Sequence, residues 1–174
     1  MNDLGAPEGI ERRHIHESGG SRLQRMPIGL LGLGVLLAAS VLGLFGSEAR
    51  RTVAGDGIGL QVAGPERIRN GEFFEMVVTA EAERAIADLV LRIDDEIWRD
   101  VTVNTLIPAA TDEGYRDGAF EFRFGPLEAG SRFIVKIDGQ INPDHGPSAN
   151  NGPISLGDAD DVLVTVNYAM EVLP

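Results

Sequence analysis

From residue 58 onward, apolar and polar side chains alternate with a period of two, the pattern of strands that bury one face. The clearest run is Phe120, Phe122 and Phe124, which alternate with Glu121 and Arg123. Turn-forming Gly, Pro, Asn and Asp residues separate such runs. The pattern predicts about seven strands, at residues 58–63, 72–81, 86–94, 97–105, 118–124, 131–140 and 161–172.

These strands predict an all-β fold for residues 58–174, an Ig-like antiparallel β-sandwich of about seven strands. The polar, glycine-bearing residues 48–57 are expected to be a linker in front of it. The stretch at 144–153, DHGPSANNGP, is predicted to be a long loop because it is rich in turn-forming residues.

A different pattern occupies residues 26–47, which contain no charged side chain. Residues 27–45 are 19 apolar or small residues in succession, and a helix of that length is about 28 Å long, close to the thickness of a bilayer's hydrocarbon core. We therefore expect one transmembrane helix at 26–47, contacting the lipid bilayer as an uncleaved signal anchor. Two pairs of small residues four apart, Gly34/Ala38 and Ala39/Gly43, make a homodimer through this helix an alternative to a monomer.

Charge predicts the orientation of that helix. Four arginines lie in residues 1–25, whereas only Arg50 and Arg51 follow the apolar segment closely. The positive-inside rule therefore predicts a cytoplasmic N-terminus. Residues 1–25 have no sustained apolar periodicity and are expected to be a disordered cytoplasmic tail. The sandwich would then lie in the periplasm or outside the cell, on the bacterial cytoplasmic (inner) membrane.

The whole chain has 174 residues, no cysteine and a formal net charge of -12. All of that net charge lies in residues 48–174, which hold 23 acidic and 11 basic side chains. Nucleic-acid binding needs clustered Lys and Arg, so this composition argues against it. The absence of cysteine excludes disulfides, thiolate metal sites and cysteine nucleophiles.

The sequence contains no Gly-x-Ser-x-Gly elbow, no His-Glu-x-x-His pair and no P-loop, so neither an enzyme nor a cofactor is expected. A weak calcium site is the alternative for the acidic residues Asp158, Asp160 and Asp161, although turns at strand ends favour Asp in any case. Trp98 falls on the opposite parity from Val101 and Val103, so it is either a core residue after a bulge or an exposed interface anchor. Phe73 and Arg99 are further interface candidates.

The segment Phe120–Pro143 (FEFRFGPLEAGSRFIVKIDGQINP) resembles the late strands of bacterial Ig-like domains of the cell-adhesion-related, CARDB-like type. Its turn Gly125–Gly130 is similar to the G-L-x-x-G turn of those domains. Residues 97–103 and Ile107-Pro108 are similar to their strand and proline loop. The resemblance implies a spacer or interaction module and carries over no catalytic residues.

Together, these features predict a single-pass membrane protein whose outer domain is a non-catalytic accessory or scaffold module. Its expected partner is another envelope or integral membrane protein. The alternative is a calcium- or glycan-binding adhesion domain. An exposed sheet edge or apolar patch would favour the first function, whereas a concave pocket lined by convergent carboxylates and an aromatic platform would favour the second.

Overall fold

The computed structural model describes residues 21–41, 48–143 and 146–174, with side chains from residue 28 onward. These residues belong to two units, one within Met1–Phe45 and one within Gly46–Pro174. The first unit contains helix α1 (Ser21–Val41). The second contains strands in two sheets.

Helix α1 begins at Ser21, so five residues predicted to belong to the tail are helical. Hydropathy marks only the apolar part of a helix, and the preceding Arg, Leu and Gln residues are themselves good helix formers. Within residues 21–41 and the rest of the described chain, no helix combines the length and apolarity needed to cross a bilayer. The predicted tail at 1–20 and the last six residues of the predicted membrane segment, 42–47, lie outside the described residues. Large apolar side chains around the helix are exposed: Ile28, Leu30, Leu31, Leu33, Val35, Leu36, Leu37 and Val41.

The described part of the second unit holds eleven strands, four more than predicted. They are β1 (Glu48–Ala54), β2 (Ile58–Pro65), β3 (Arg67–Arg69), β4 (Phe73–Ala82), β5 (Ile86–Asp94), β6 (Val101–Ile107), β7 (Asp112–Arg116), β8 (Ala119–Leu127), β9 (Arg132–Ile141), β10 (Ser148–Asp158) and β11 (Asp161–Leu173).

The strands form a sandwich, as predicted. Sheet A has the order β1-β2-β4-β9-β6, and sheet B has the order β3-β11-β10-β5-β8-β7. Every pairing is antiparallel except that of β3 with the end of β11, which is parallel. The inward rows of the two sheets share one core, with Leu60, Met76, Ile137, Leu91 and Tyr168 at its centre.

The predicted linker at 48–57 is largely strand, because β1 pairs with β2 from Glu48↔Pro65 to Ala54↔Gly59. Only Ala49 of β1 is buried. An edge strand of this kind is held mainly by backbone hydrogen bonds, so it carries no apolar alternation that a sequence pattern can detect.

The predicted loop at 144–153 is also partly strand, because β10 begins at Ser148. Residues 148–153 pair with β11 alone, and pairing with β5 begins at Ile154. No described strand pairs with residues 148–153 on the side away from β11. There, the buried Asn150 side chain holds them in place, because its Nδ2 donates a hydrogen bond to the carbonyl of Arg99 at 2.7 Å. The side-chain amide therefore replaces the apolar alternation that the prediction relied on.

The predicted strand at 97–105 begins only at Val101, because residues 95–100 form consecutive turns. The amide of Ile97 donates to the carbonyl of Asp94, and that of Trp98 donates to the carbonyl of Asp95. The carboxylate of Asp94 accepts the amide of Glu96 at 3.0 Å, which caps the turn. These turns bury Ile97 and Trp98 together, which strand alternation cannot do.

Candidate functional site

One side of the sandwich is open, where β6 ends sheet A and β7 ends sheet B. Between the two edges lies a cavity of about 420 Å³, which we call the edge groove. It is lined by β6, by the inward faces of β7 and β8, and by Trp98 from the preceding turn. Most of the residues that line the edge groove are apolar.

Strand β6 forms one wall of the edge groove. Val103 pairs with Gly139 and Leu106 with Ile137 on β9, whose inward residues belong to the core. Val103 therefore points between the sheets, yet 41% of its surface is exposed. An inward apolar residue exposed to that extent marks the place where the two sheets part.

Strands β7 and β8 form the opposite wall. Phe120 and Phe122 pair with Ile93 and Leu91 of β5 and share their inward side, and Phe120 is 37% exposed. Tyr115 of β7 meets the ring of Phe120 edge-on, with 5.2 Å between centroids, and is 58% exposed. The two rings extend the apolar wall towards solvent.

Trp98 lines the groove from the turn before β6 and is only 8% exposed. Its indole Nε1–H is buried and has no hydrogen-bond acceptor among the described residues. Of the two predicted roles, the burial favours a core residue, reached through a turn rather than a bulge. One edge of this core residue also contributes to the groove.

The groove has acidic surroundings. Glu113 pairs with Phe122, shares its inward side, and forms no ion pair within residues 48–143 and 146–174. Tyr115 Oη donates to the Asp95 carboxylate at 2.5 Å, and this bond raises the pKa of Tyr115. A cationic group would therefore be attracted to this end of the groove.

A second concave site, of about 280 Å³, lies on the outer face of sheet B. Glu121 and Arg92 face each other on β8 and β5, and Arg92 Nε donates to Glu121 Oε1 at 2.7 Å. Arg116 Nη2 donates to Glu121 Oε2 at 2.8 Å. Arg123 pairs with Asp88 at 2.7 Å. We call these residues the arginine cluster.

Glu121 is the centre of the arginine cluster. Burial alone would raise the pKa of its carboxyl, but hydrogen bonds from Arg92 and Arg116 outweigh that effect and hold the pKa below its ordinary value. The carboxylate therefore stays charged and bridges two arginines. The three arginines of the cluster face three carboxylates, those of Glu121, Asp88 and Asp160, so the cluster joins β5 and β8 rather than offering charge to a ligand.

The three candidate calcium ligands have other partners or stand apart. Asp158 Oδ1 accepts the amides of Ala87 and Asp88, both at 3.0 Å. Asp160 lies 3.1 Å from Arg116 Nη1, a bond that lowers the pKa of Asp160. Asp161 begins β11. In the described ranges of the chain, no group of three or more acidic or histidine side chains could hold a metal ion.

The remaining interface candidates lie apart from the edge groove. Phe73 is 72% exposed at the start of β4, whereas its neighbour Phe74 is buried against Gly139. The Arg99 side chain is half-exposed and pairs with Glu96 in the same turn. Neither Phe73 nor Arg99 lines the groove.

The sequence pattern did not mark Glu113, Tyr115 and Leu106 as residues of a protein-binding site. A usable signal exists for the first two, because Glu113 and Tyr115 are two apart in a five-residue run, DEGYR, that precedes the Asp117-Gly118 turn. A run before such a turn and an alternating strand after it together indicate a hairpin. No signal in the sequence alone shows that the hairpin lies opposite β6.

No family model matches the sequence, and neither does any curated protein. Among solved structures, CaCohA2 from Clostridium acetobutylicum is 14% identical, with 68% of this chain and 92% of that chain covered and a TM-score of 0.43. A non-cellulosomal cohesin from the archaeon Archaeoglobus fulgidus is 11% identical, with 62% and 86% covered and a TM-score of 0.38. A family 123 glycoside hydrolase from Clostridium perfringens is 15% identical, with 62% and 23% covered and a TM-score of 0.38. At these scores the likeness carries no argument about function.

Proposed function

We propose that the chain is a membrane-anchored, non-catalytic module whose sandwich binds another envelope or integral membrane protein through the edge groove. The observation that carries the proposal is the open side of the sandwich. There, inward residues of both sheets, including Val103 and Phe120, remain exposed beside two unpaired strand edges. Apolar surface of this kind, continuous with free edges, is typical of protein-binding sites.

The lining of the groove supports a protein ligand over the glycan alternative. Glu113 is the single carboxylate among its lining residues in the described chain, and the other lining residues are mostly apolar. A glycan site would instead need several convergent polar groups to hold sugar hydroxyls. Apolar walls with one charge suit a partner that buries its own side chains.

Photocrosslinking in native membranes tests the protein partner. Benzoylphenylalanine at Tyr115, which lies next to the groove against Phe120, should give a discrete adduct with another protein. The same substitution at Phe73, an even more exposed aromatic on β4, is the matched control and should give none. Adducts from Phe73 alone would place the interface on the other side of the molecule, and adducts from neither position would contradict the proposal.

The anchoring part rests on the composition of residues 26–47, which carry no charge, and on the exposed apolar side chains of α1. Such side chains are stable in lipid and costly in water. The same segment is proposed to hold the N-terminus in the cytoplasm and the sandwich outside. A homodimer through the helix is the alternative state of this anchor.

Membrane fractionation tests the anchor. The full chain should stay with membranes after an alkaline carbonate wash, because buried apolar side chains are not released by charge or pH. A variant with four leucines of residues 30–37 replaced by serine should move to the soluble fraction. A variant with four serine substitutions at exposed polar positions of the sandwich is the control. Release of the unmodified chain by carbonate would contradict anchoring.

A further inference from the structure

The strands that end the two sheets differ in charge. Strand β1 carries Glu48, Arg50 and Arg51, β3 carries two arginines, and β7 carries Asp112, Glu113 and Arg116. Strand β6, with the sequence VTVNTLI, carries no charged residue. Charged side chains on an edge strand discourage a further strand from pairing with it. Of the four edges in the described sandwich, β6 alone lacks that protection.

The sheets also differ in width. Sheet A has five strands and sheet B has six. Across the groove, β6 is opposite Phe120 and Phe122 of β8 and Glu113 of β7, whereas Tyr115 of β7 lies outside this lining and is 58% exposed. A strand placed beside β6 would occupy the position opposite β7. It would cover Tyr115 and Phe120, which are now exposed.

We infer that the edge groove receives an extended segment of the partner protein, which adds to sheet A as a sixth strand beside β6. The inference rests on the proposed function and names the mode of binding. Alternate side chains of such a strand would point into the groove. They would be apolar against Val103, Phe120 and Trp98, with one Lys or Arg beside the unpaired carboxylate of Glu113.

Charge complementarity selects a basic partner over a second copy of this chain. Residues 48–174 carry the full net charge of -12, so two such domains repel each other. A second copy would also bring another uncharged β6, with no cation to meet Glu113. A segment that carries Lys or Arg is attracted both by the net negative charge of residues 48–174 and by the carboxylate of Glu113.

A peptide probe tests the inference on the purified full chain in detergent. The probe Thr-Val-Thr-Lys-Thr-Val-Thr-Val places its Val and Lys side chains on one face and threonine on the other. We expect saturable binding by fluorescence anisotropy. Two complementary versions, N-methylated at the threonines or at the other residues, should differ, because only one set of amides faces β6. Equal binding of both versions would overturn strand addition.

A charge reversal tests the role of Glu113. The Glu113→Lys variant should bind the lysine probe about tenfold more weakly and should bind a probe with Glu in place of Lys more tightly than the unmodified chain does. Glu128→Lys makes the same charge change in the exposed turn at the other end of β8 and should leave both affinities unchanged. Equal losses in the two variants would show that net charge alone governs binding.

The outcomes separate this inference from the proposed function. If Tyr115 crosslinks to a protein in membranes while the probes fail to bind, the partner docks without strand addition and only the inference is lost. If the purified chain forms dimers without any probe, and Glu113→Lys does not alter them, a second copy occupies the groove and the inference is overturned. If neither crosslinks nor probe binding are found, both proposals fail.

Discussion

Replacing Trp98 by alanine should lower the free energy of unfolding by about 3 kcal/mol. The side chain is 8% exposed and belongs to the core cluster, so its removal exposes apolar surface and leaves a cavity. We place the effect at the low end of the range for large aromatic residues, because Trp98 also lines the open groove and part of the space it leaves can fill with water. Urea unfolding of the purified full chain measures the change. It is followed by circular dichroism, since Trp98 is the single tryptophan.

Phe73→Ala is the matched control for this prediction. Phe73 is also a large aromatic residue and was also an interface candidate, but it is 72% exposed. Its removal should change the free energy of unfolding by less than about 0.5 kcal/mol. Equal effects of the two substitutions would mean that the 95–100 turn does not pack on the core as described.

Replacing Glu121 by alanine should cost about 2–3 kcal/mol of folding stability. The substitution leaves the guanidinium of Arg92, which is nearly buried, without the carboxylate that it binds at 2.7 Å. The cost is smaller than for a deeply buried pair because only a layer of arginine side chains covers the carboxylate. Urea unfolding of the full chain measures it.

An exposed ion pair provides the comparison for Glu121. Glu75 Oε2 lies 3.0 Å from Lys136 Nζ, and both side chains are about half-exposed. Glu75→Ala should therefore cost less than about 1 kcal/mol. The double variant Arg92→Met/Glu121→Met should be more stable than the two single losses predict, because no unpaired charge remains. Strictly additive losses would contradict direct coupling between Arg92 and Glu121.

Sequence patterning predicted the part of the fold whose stability comes from burying one face. The runs at 72–81, 86–94 and 131–140 correspond closely to β4, β5 and β9, interior strands with regular inward rows. It failed for β10, an interior strand whose first half is held by the Asn150 side chain, and for β1, β3 and β7, which lie at sheet edges and are held by backbone pairing. Such pairing leaves no period in the side chains, so these strands could not be found from hydropathy.

In the candidate site, too, the sequence predicted local features but not those that depend on how the strands are arranged. In the sequence, Trp98 falls on the opposite parity from Val101 and Val103, which indicated that the strand is not regular there. In the structure, residues 95–100 form turns and not a bulge. The acidic lining from Glu113 could not be foreseen, because it requires β7 to lie opposite β6. That juxtaposition follows from sheet order, which local patterns do not encode.

The positions of β1 and β6 in sheet A have a mechanical consequence. The two strands are the opposite edges of one five-stranded sheet, so four interstrand spacings, about 19 Å in all, separate β1, the strand that follows the proposed anchor in sequence, from the edge groove. If the membrane holds one edge and a partner strand the other, tension runs across the strands, along the direction of their hydrogen bonds. Such a load opens ladders one bond at a time. The partner strand, which is held by the outermost ladder, would then peel away before the core yields. Under this geometry, the domain would act as a tether that releases its partner under force while the sandwich stays folded.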